Sequence, residues 1–201
     1  MAIKFQYNKT ALQSLNKQLK MRLKALPTIK SKEAALRMEV KKAKSKVKEI
    51  DEKLSRKIKE YNVVPGIWNE FNTNLIAIDN VKATTKKIAG VKTPVLEEVI
   101  FKTDEYSLFT NPKWFSEGIS IVKELVNIIT EKEFFYRKML LLNHARRKTT
   151  QKVNLYEKVQ IPGYENAIRR IKRFLEDEEN LSKSAQKIVK SRQQQQMEVN
   201  K

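Results

Sequence analysis

Apolar side chains in the first third of the chain follow one heptad register without a slip. Its first position falls on Leu12, Leu19, Leu26, Glu33, Val40, Val47, Leu54 and Tyr61, and its second on Leu15, Arg22, Ile29, Leu36, Ala43, Ile50 and Lys57. Twelve of these fifteen positions are apolar, the seam of a helix that lies along another helix. Pro27 stands inside the run, where a proline removes a hydrogen bond and costs about 3 kcal/mol. The register is in phase on both sides of it, so the sequence predicts a kink at Leu26-Pro27 rather than a turn between two helices.

A second stripe occupies the last third. Ile121, Leu125, Ile128, Phe135, Met139, Leu142, Val153 and Tyr156 share it, with Lys132, Arg146 and Thr149 as interruptions. Ile161, Tyr164, Ile168, Ile171 and Leu175 continue at steps of three and four, and Leu181, Ala185 and Ile188 prolong them. Pro162-Gly163 falls within this ladder, where such a pair normally ends a helix; the ladder predicts a bend instead. The final RQQQQMEVNK lacks periodicity and is expected to fray.

Between the stripes the pattern changes. Pro65-Gly66, NTN, IAGVKTP and TNP punctuate the stretch, and β-branched residues cluster around VLEEVIF. It predicts a turn, a short helical piece around Trp68 to Ile78, and a small hairpin or two between about Val81 and Phe101. The expected fold is mainly α: a long antiparallel, kinked two-helix coiled coil with a small cap of turns and β-hairpin between the helices. The segments are 1–61, 62–115 and 116–201, forming one elongated domain. Leu15, Leu19, Leu36, Val40, Val47, Ile50, Leu54, Ile161, Ile168, Ile171, Leu175 and Ala185 form the expected seam. Equal rise per residue would put Leu15 beside Ala185.

Composition agrees with long helices, since the 201 residues include only four glycines and five prolines. There is no cysteine, which removes disulfides and thiolate metal sites. No apolar run approaches the ~20 residues of a membrane span, and the opening MAIKFQYNKTAL lacks the apolar core of a signal peptide. The expected setting is therefore cytoplasmic, without membrane insertion. Net charge is +19, and all the excess lies outside the middle: +12 over 1–61, zero over 62–115, +7 over 116–201.

Candidate chemistry is sparse. The glycines at 66, 90, 118 and 163 are too far apart for a phosphate-binding loop. His144 has no second histidine or cysteine to share a metal, and the Glu176-Asp177-Glu178-Glu179 run reads as a solvated helix face. KKAKSKVK and RRIKR could track phosphates, so a basic coiled-coil nucleic-acid-binding protein is the rival reading. Interspersed acidic residues and the lack of a stacking platform weigh against it. A cytoskeletal or scaffold coiled coil stands third. Trp68 and Trp114 lie in the neutral segment, where large aromatics make core or docking surface; core is favoured for at least one.

The stretch KTTQKVNLYEKVQIPGYENAIRRI resembles the signature of the D subunit of V/A-type rotary ATPases, K-T-x-R-R-V-N-A-L-E followed by V-x-I-P and L-E-x-T-I-K-x-I. Lys148, Thr149, Val153, Asn154, Glu157, Val159, Ile161, Pro162, Glu165, Asn166, Ile168 and Ile171 carry the likeness. Leu15, Leu19, Ile29-Lys30, Lys32 and Leu36 resemble the family's first helix more loosely, and Gly90, Val91 and Pro94 its cap. Gln151 and Lys152 replace arginines, and Ala25, Pro27 and Lys32-Glu33-Ala34 depart from the first-helix pattern. The resemblance implies a rotating central shaft with no catalytic residue, no cofactor and no bound nucleotide or metal. Its ends would lie inside the hexamer of catalytic A and B subunits. Its cap, with Trp68, Val91, Pro94 and Trp114, would meet the small F subunit and the funnel-shaped subunit above the membrane ring. The chain would be peripheral to the membrane within that complex.

Overall fold

The structure, a computed structural model, describes residues 4–61, 68, 70–104 and 112–199. Helix α1 spans Lys9–Tyr61. Asn8 starts it as an N-cap: its Oδ1 accepts from the Ala11 backbone N–H at 2.6 Å, satisfying a donor with no partner inside the helix. All fifteen heptad positions are buried or half-buried. The helix runs unbroken through Pro27, which is exposed. The carbonyl that loses its donor there is that of Leu23, itself on the exposed side of α1, where water can serve it.

Helix α2 spans Phe115–Asn154, a π-helical turn covers Leu155–Gln160, and α3 spans Ile161–Val199. The glutamine-rich end expected to fray is helical as far as Val199. Gln, Met and Lys are good helix formers even without a seam to hold them.

The chain divides into two compact units, Met1–Ser31 with Thr149–Lys201, and Lys32–Lys148. In the first, Leu15 packs among Tyr164, Ala167, Ile168 and Ile171, with Leu12, Leu19 and Leu175 alongside. The helices are antiparallel here: Lys30 pairs with Glu157, Arg22 with Gln160 and Gln18 with Tyr164. The expected neighbour of Leu15, Ala185, is instead exposed, together with Leu181 and Ile188. The described seam ends at Leu175: α1 begins at Lys9, and no described residue buries Leu181, Ala185 or Ile188.

In the second unit, Leu36, Ala43 and Ile50 of α1 and Ile128 and Leu142 of α2 are buried. Antiparallel order recurs, with Asp51 bonded to Lys132 and Lys57 paired to Glu124. Strands β1 (Ile76–Ile88) and β2 (Val91–Thr103) form an antiparallel hairpin. Its two-residue loop places Ala89 at φ 48° and Gly90 at φ 83°, the positive values that a type I′ turn requires. Register shifts between Ile78 and Asn80 and between Lys82 and Ala83 insert Asp79 on one strand and Glu97 on the other, both exposed.

Of the helical piece expected around Trp68 to Ile78, Trp68 is helical and Thr73–Leu75 form a 3-10 turn, while β1 has begun by Ile76. Residues 62–67 and 69 lie outside the described residues. Ile76 and Ile78 are β-branched and find strand partners in Thr103 and Phe101, a pairing that a local helical pattern cannot anticipate. Below the hairpin, Phe71, Phe115 and Ile119 are buried with Trp68, Trp114, Leu75, Ile76 and Val122 packed around them.

Candidate functional site

Two features of the chain are the candidates for function: a helix-to-helix seam with polar pins, and the aromatic base of the hairpin. Of the expected seam residues, Leu15, Leu36, Ile50, Ile161, Ile168 and Ile171 are buried. Leu19, Val40, Val47, Leu54 and Leu175 are half-buried, and Ala185 lies outside the seam. Leucine and isoleucine at these positions each remove apolar surface from water, about 1.5–3 kcal/mol for a fully buried side chain.

Polar residues interrupt the seam and mark its register. Arg22 sits at a seam position, donates through Nε to Gln160 Oε1 at 2.8 Å, and holds its guanidinium 4.4 Å from the Tyr164 ring centroid. Tyr164 Oη donates to Gln18 Oε1 at 2.8 Å. Lys57 also occupies a seam position, with Nζ 3.2 Å from Tyr61 Oη, and Tyr61 Oη donates to Glu124 Oε2 at 2.9 Å. The Tyr61 hydroxyl and then Lys57 hold the Glu124 carboxyl below its usual range, while Tyr61 and Glu124 raise the Lys57 ammonium. These are shifts of paired groups that stabilise the charged forms, the reverse of what a general acid needs.

The signature residues do not converge on a catalytic cluster. Lys148, Asn154, Pro162, Glu165 and Asn166 are exposed, and Thr149 and Val153 are half-buried. Glu157 reaches Lys30 Nζ at 2.8 Å, which brings the signature against the more loosely similar first helix. Among the described residues no group of three or more His, Cys, Asp or Glu side chains could hold a metal, and no helix is long and apolar enough to cross a membrane.

At the base of the hairpin Trp68 and Trp114 are both half-buried and meet edge to face, with centroids 5.6 Å apart. Trp68 Nε1 donates to the Tyr61 carbonyl at 3.2 Å, linking the aromatic group to the end of α1. Val91 and Pro94 are half-buried on β2. A groove of about 480 Å³ runs between β2 and the helices, with Pro94, Leu96, Phe134 and Phe135 beside Glu97, Glu124 and Glu131.

Arg22, Glu33 and Lys57 are the polar exceptions in the heptad register, and the sequence by itself gives them no role. Their signal was there, because a charged residue at a seam position needs a cross-helix partner or an exposed head. The partners Gln160, Tyr164 and Glu124 could not be named from one strand of the pairing.

A family model described as that of the ATP synthase D subunit matches residues 11–191. A protein of Borreliella burgdorferi, named as a V-type ATP synthase D subunit, is 31% identical over 196 residues, covering 94% of each chain. The protein of the same name from Chlamydia trachomatis serovar L2 is 28% identical over 203 residues, 98% of this chain and 100% of its own. That of Chlamydia muridarum is 30% identical over 178 residues, 86% and 88% of the two chains. With its helical seam, its hairpin and a match from the first turn of α1 to near the end of α3, the chain belongs to the family of ATP synthase D subunits.

Proposed function

We propose that this chain is the central rotor shaft of a V/A-type ATPase or ATP synthase, transmitting torque between a catalytic hexamer and a membrane ion-translocating ring. The observation that carries it is the family match over residues 11–191 on a chain whose long helices pair antiparallel through an apolar seam. Torque transmission needs length and resistance to shear, and an interdigitated seam with polar pins supplies the second. The chain itself is non-catalytic in this reading. Its basic helix ends engage the A and B subunits, and the neutral segment around Trp68, Val91, Pro94 and Trp114 meets the small F subunit and the funnel-shaped subunit. It works on the cytoplasmic side, peripheral to the membrane.

The experiment is direct. A bead is attached to this chain in the reconstituted complex through Lys87→Cys, a unique thiol in a cysteine-free protein. ATP should drive unidirectional rotation of the bead against the immobilised hexamer. A complex that hydrolyses ATP with the bead stationary overturns the rotor assignment.

A further inference from the structure

The passage from α2 to α3 is the one π-helical turn among the described residues. Within it the Ile161 N–H donates to the carbonyl of Tyr156, five residues back. Pro162 comes immediately after. In α geometry its ring would press on the Lys158 carbonyl, and the widened turn moves that carbonyl aside. The surplus residue also sets the phase of α3. Val153, Tyr156 and Gln160 are half-buried and Ile161 directly after them is buried, so two adjacent residues are withdrawn from solvent where a regular seam withdraws one. Polar contacts pin the turn and its flank to α1: Lys30 to Glu157, Arg22 to Gln160, and Gln18 to Tyr164.

We propose that this turn is a torsion joint. Pro162 fixes a surplus residue at Leu155–Gln160, and twist along the helix is taken up there by winding and unwinding between π and α geometry, while the pins keep the seam engaged. Its i to i+5 bonds make it a turn that can tighten to α geometry without breaking the helix. Pro162 keeps the surplus residue from migrating along the helix, because the ring needs the Lys158 carbonyl displaced. The inference rests on the rotor assignment for its load.

The test removes the joint and keeps the seam. Deletion of the exposed Lys158 together with Pro162→Ala removes the surplus residue and permits continuous α-helix. Amide exchange around Val159 to Ile161 in the full chain should then slow about tenfold. In the reconstituted complex with its hexamer stalled, a bead on Lys87→Cys should show a narrower angular spread than on the parent. Pro162→Ala alone keeps the surplus residue but releases it, so the spread should widen; this variant decides the matter if the deletion does not assemble. An unchanged spread in a deletion variant whose exchange has slowed, or in Pro162→Ala, overturns the joint while leaving the rotor intact. A parent bead that does not rotate with ATP removes the rotor assignment and the joint with it.

Discussion

Ile171 has no exposed surface, and Lys172 beside it is exposed. Ile171→Asp places a charge without a partner in the seam and should cost about 3–5 kcal/mol, whereas Lys172→Ala should stay within about 0.5 kcal/mol. Thermal melting followed by circular dichroism separates them, and equal midpoints would argue against a buried seam there. Glu124 gives a pH signature. Its carboxyl is held below its ordinary 4.5 in the folded chain, first by the Tyr61 hydroxyl and then by Lys57. A depressed folded value means stability that is present above the unfolded value and lost as pH falls through the folded one. The melting midpoint should therefore fall more steeply below about pH 4.5 in the parent than in Glu124→Gln. A parallel fall in both would show that the Tyr61–Glu124 bond contributes nothing. At this scale the sequence displayed the odd residues, Arg22 and Lys57, because a charge in an apolar register is visible locally. It did not display their cross-helix partners, Gln160 and Glu124, which lie far along the chain.

Among the elements, the hairpin loop holds Ala89 at φ 48°, where a Cβ is disfavoured and asparagine is tolerated. Ala89→Asn should stabilise the hairpin by about 0.5–1 kcal/mol, measured as a higher melting midpoint or slower exchange of the β1–β2 amides; a lower midpoint would contradict the turn geometry. Gly118 in α2 is the opposite case. A Cβ there would stand 2.9 Å from Trp114 Cζ3 and 3.1 Å from Phe71 Cε2. The ~1 kcal/mol helix gain normally expected of Gly→Ala should thus be cancelled or reversed by overpacking, so that Gly118→Ala melts no higher than the parent. Both helices were legible because heptad periodicity repeats over many turns and averages out single exceptions. The start of β1 was not, because Ile76 and Ile78 suit a short apolar helix or a strand equally until Thr103 and Phe101 pair with them. The π turn was not legible, because with Gln160 after Tyr156 the spacing stays within steps of three and four.

For the whole molecule, the proposed division of labour between seam and hairpin can be separated by deletion. Val81 pairs with Val99, so removing the residues between them and closing the strands with a two-residue turn should leave the seam untouched. If the hairpin docks the shaft to the ring side, the reconstituted complex should keep hydrolysing ATP while ATP-driven ion pumping is lost; full pumping by the deletion would refute that docking role. The antiparallel helix pair, the neutral segment between its helices, the lack of thiolate chemistry and the family likeness all arise from local order, since periodicity, charge and short motifs are properties of neighbouring residues. What the tertiary structure decided depends on two distant segments at once. Leu15 meets Ile168 rather than Ala185 because the two helices do not end level: with Gln18 on Tyr164 and Arg22 on Gln160, α3 runs on to Val199 past the start of α1 at Lys9. A pattern states which face a helix will bury; only the start and winding of the partner helix fix where along that face the burial begins and where it stops.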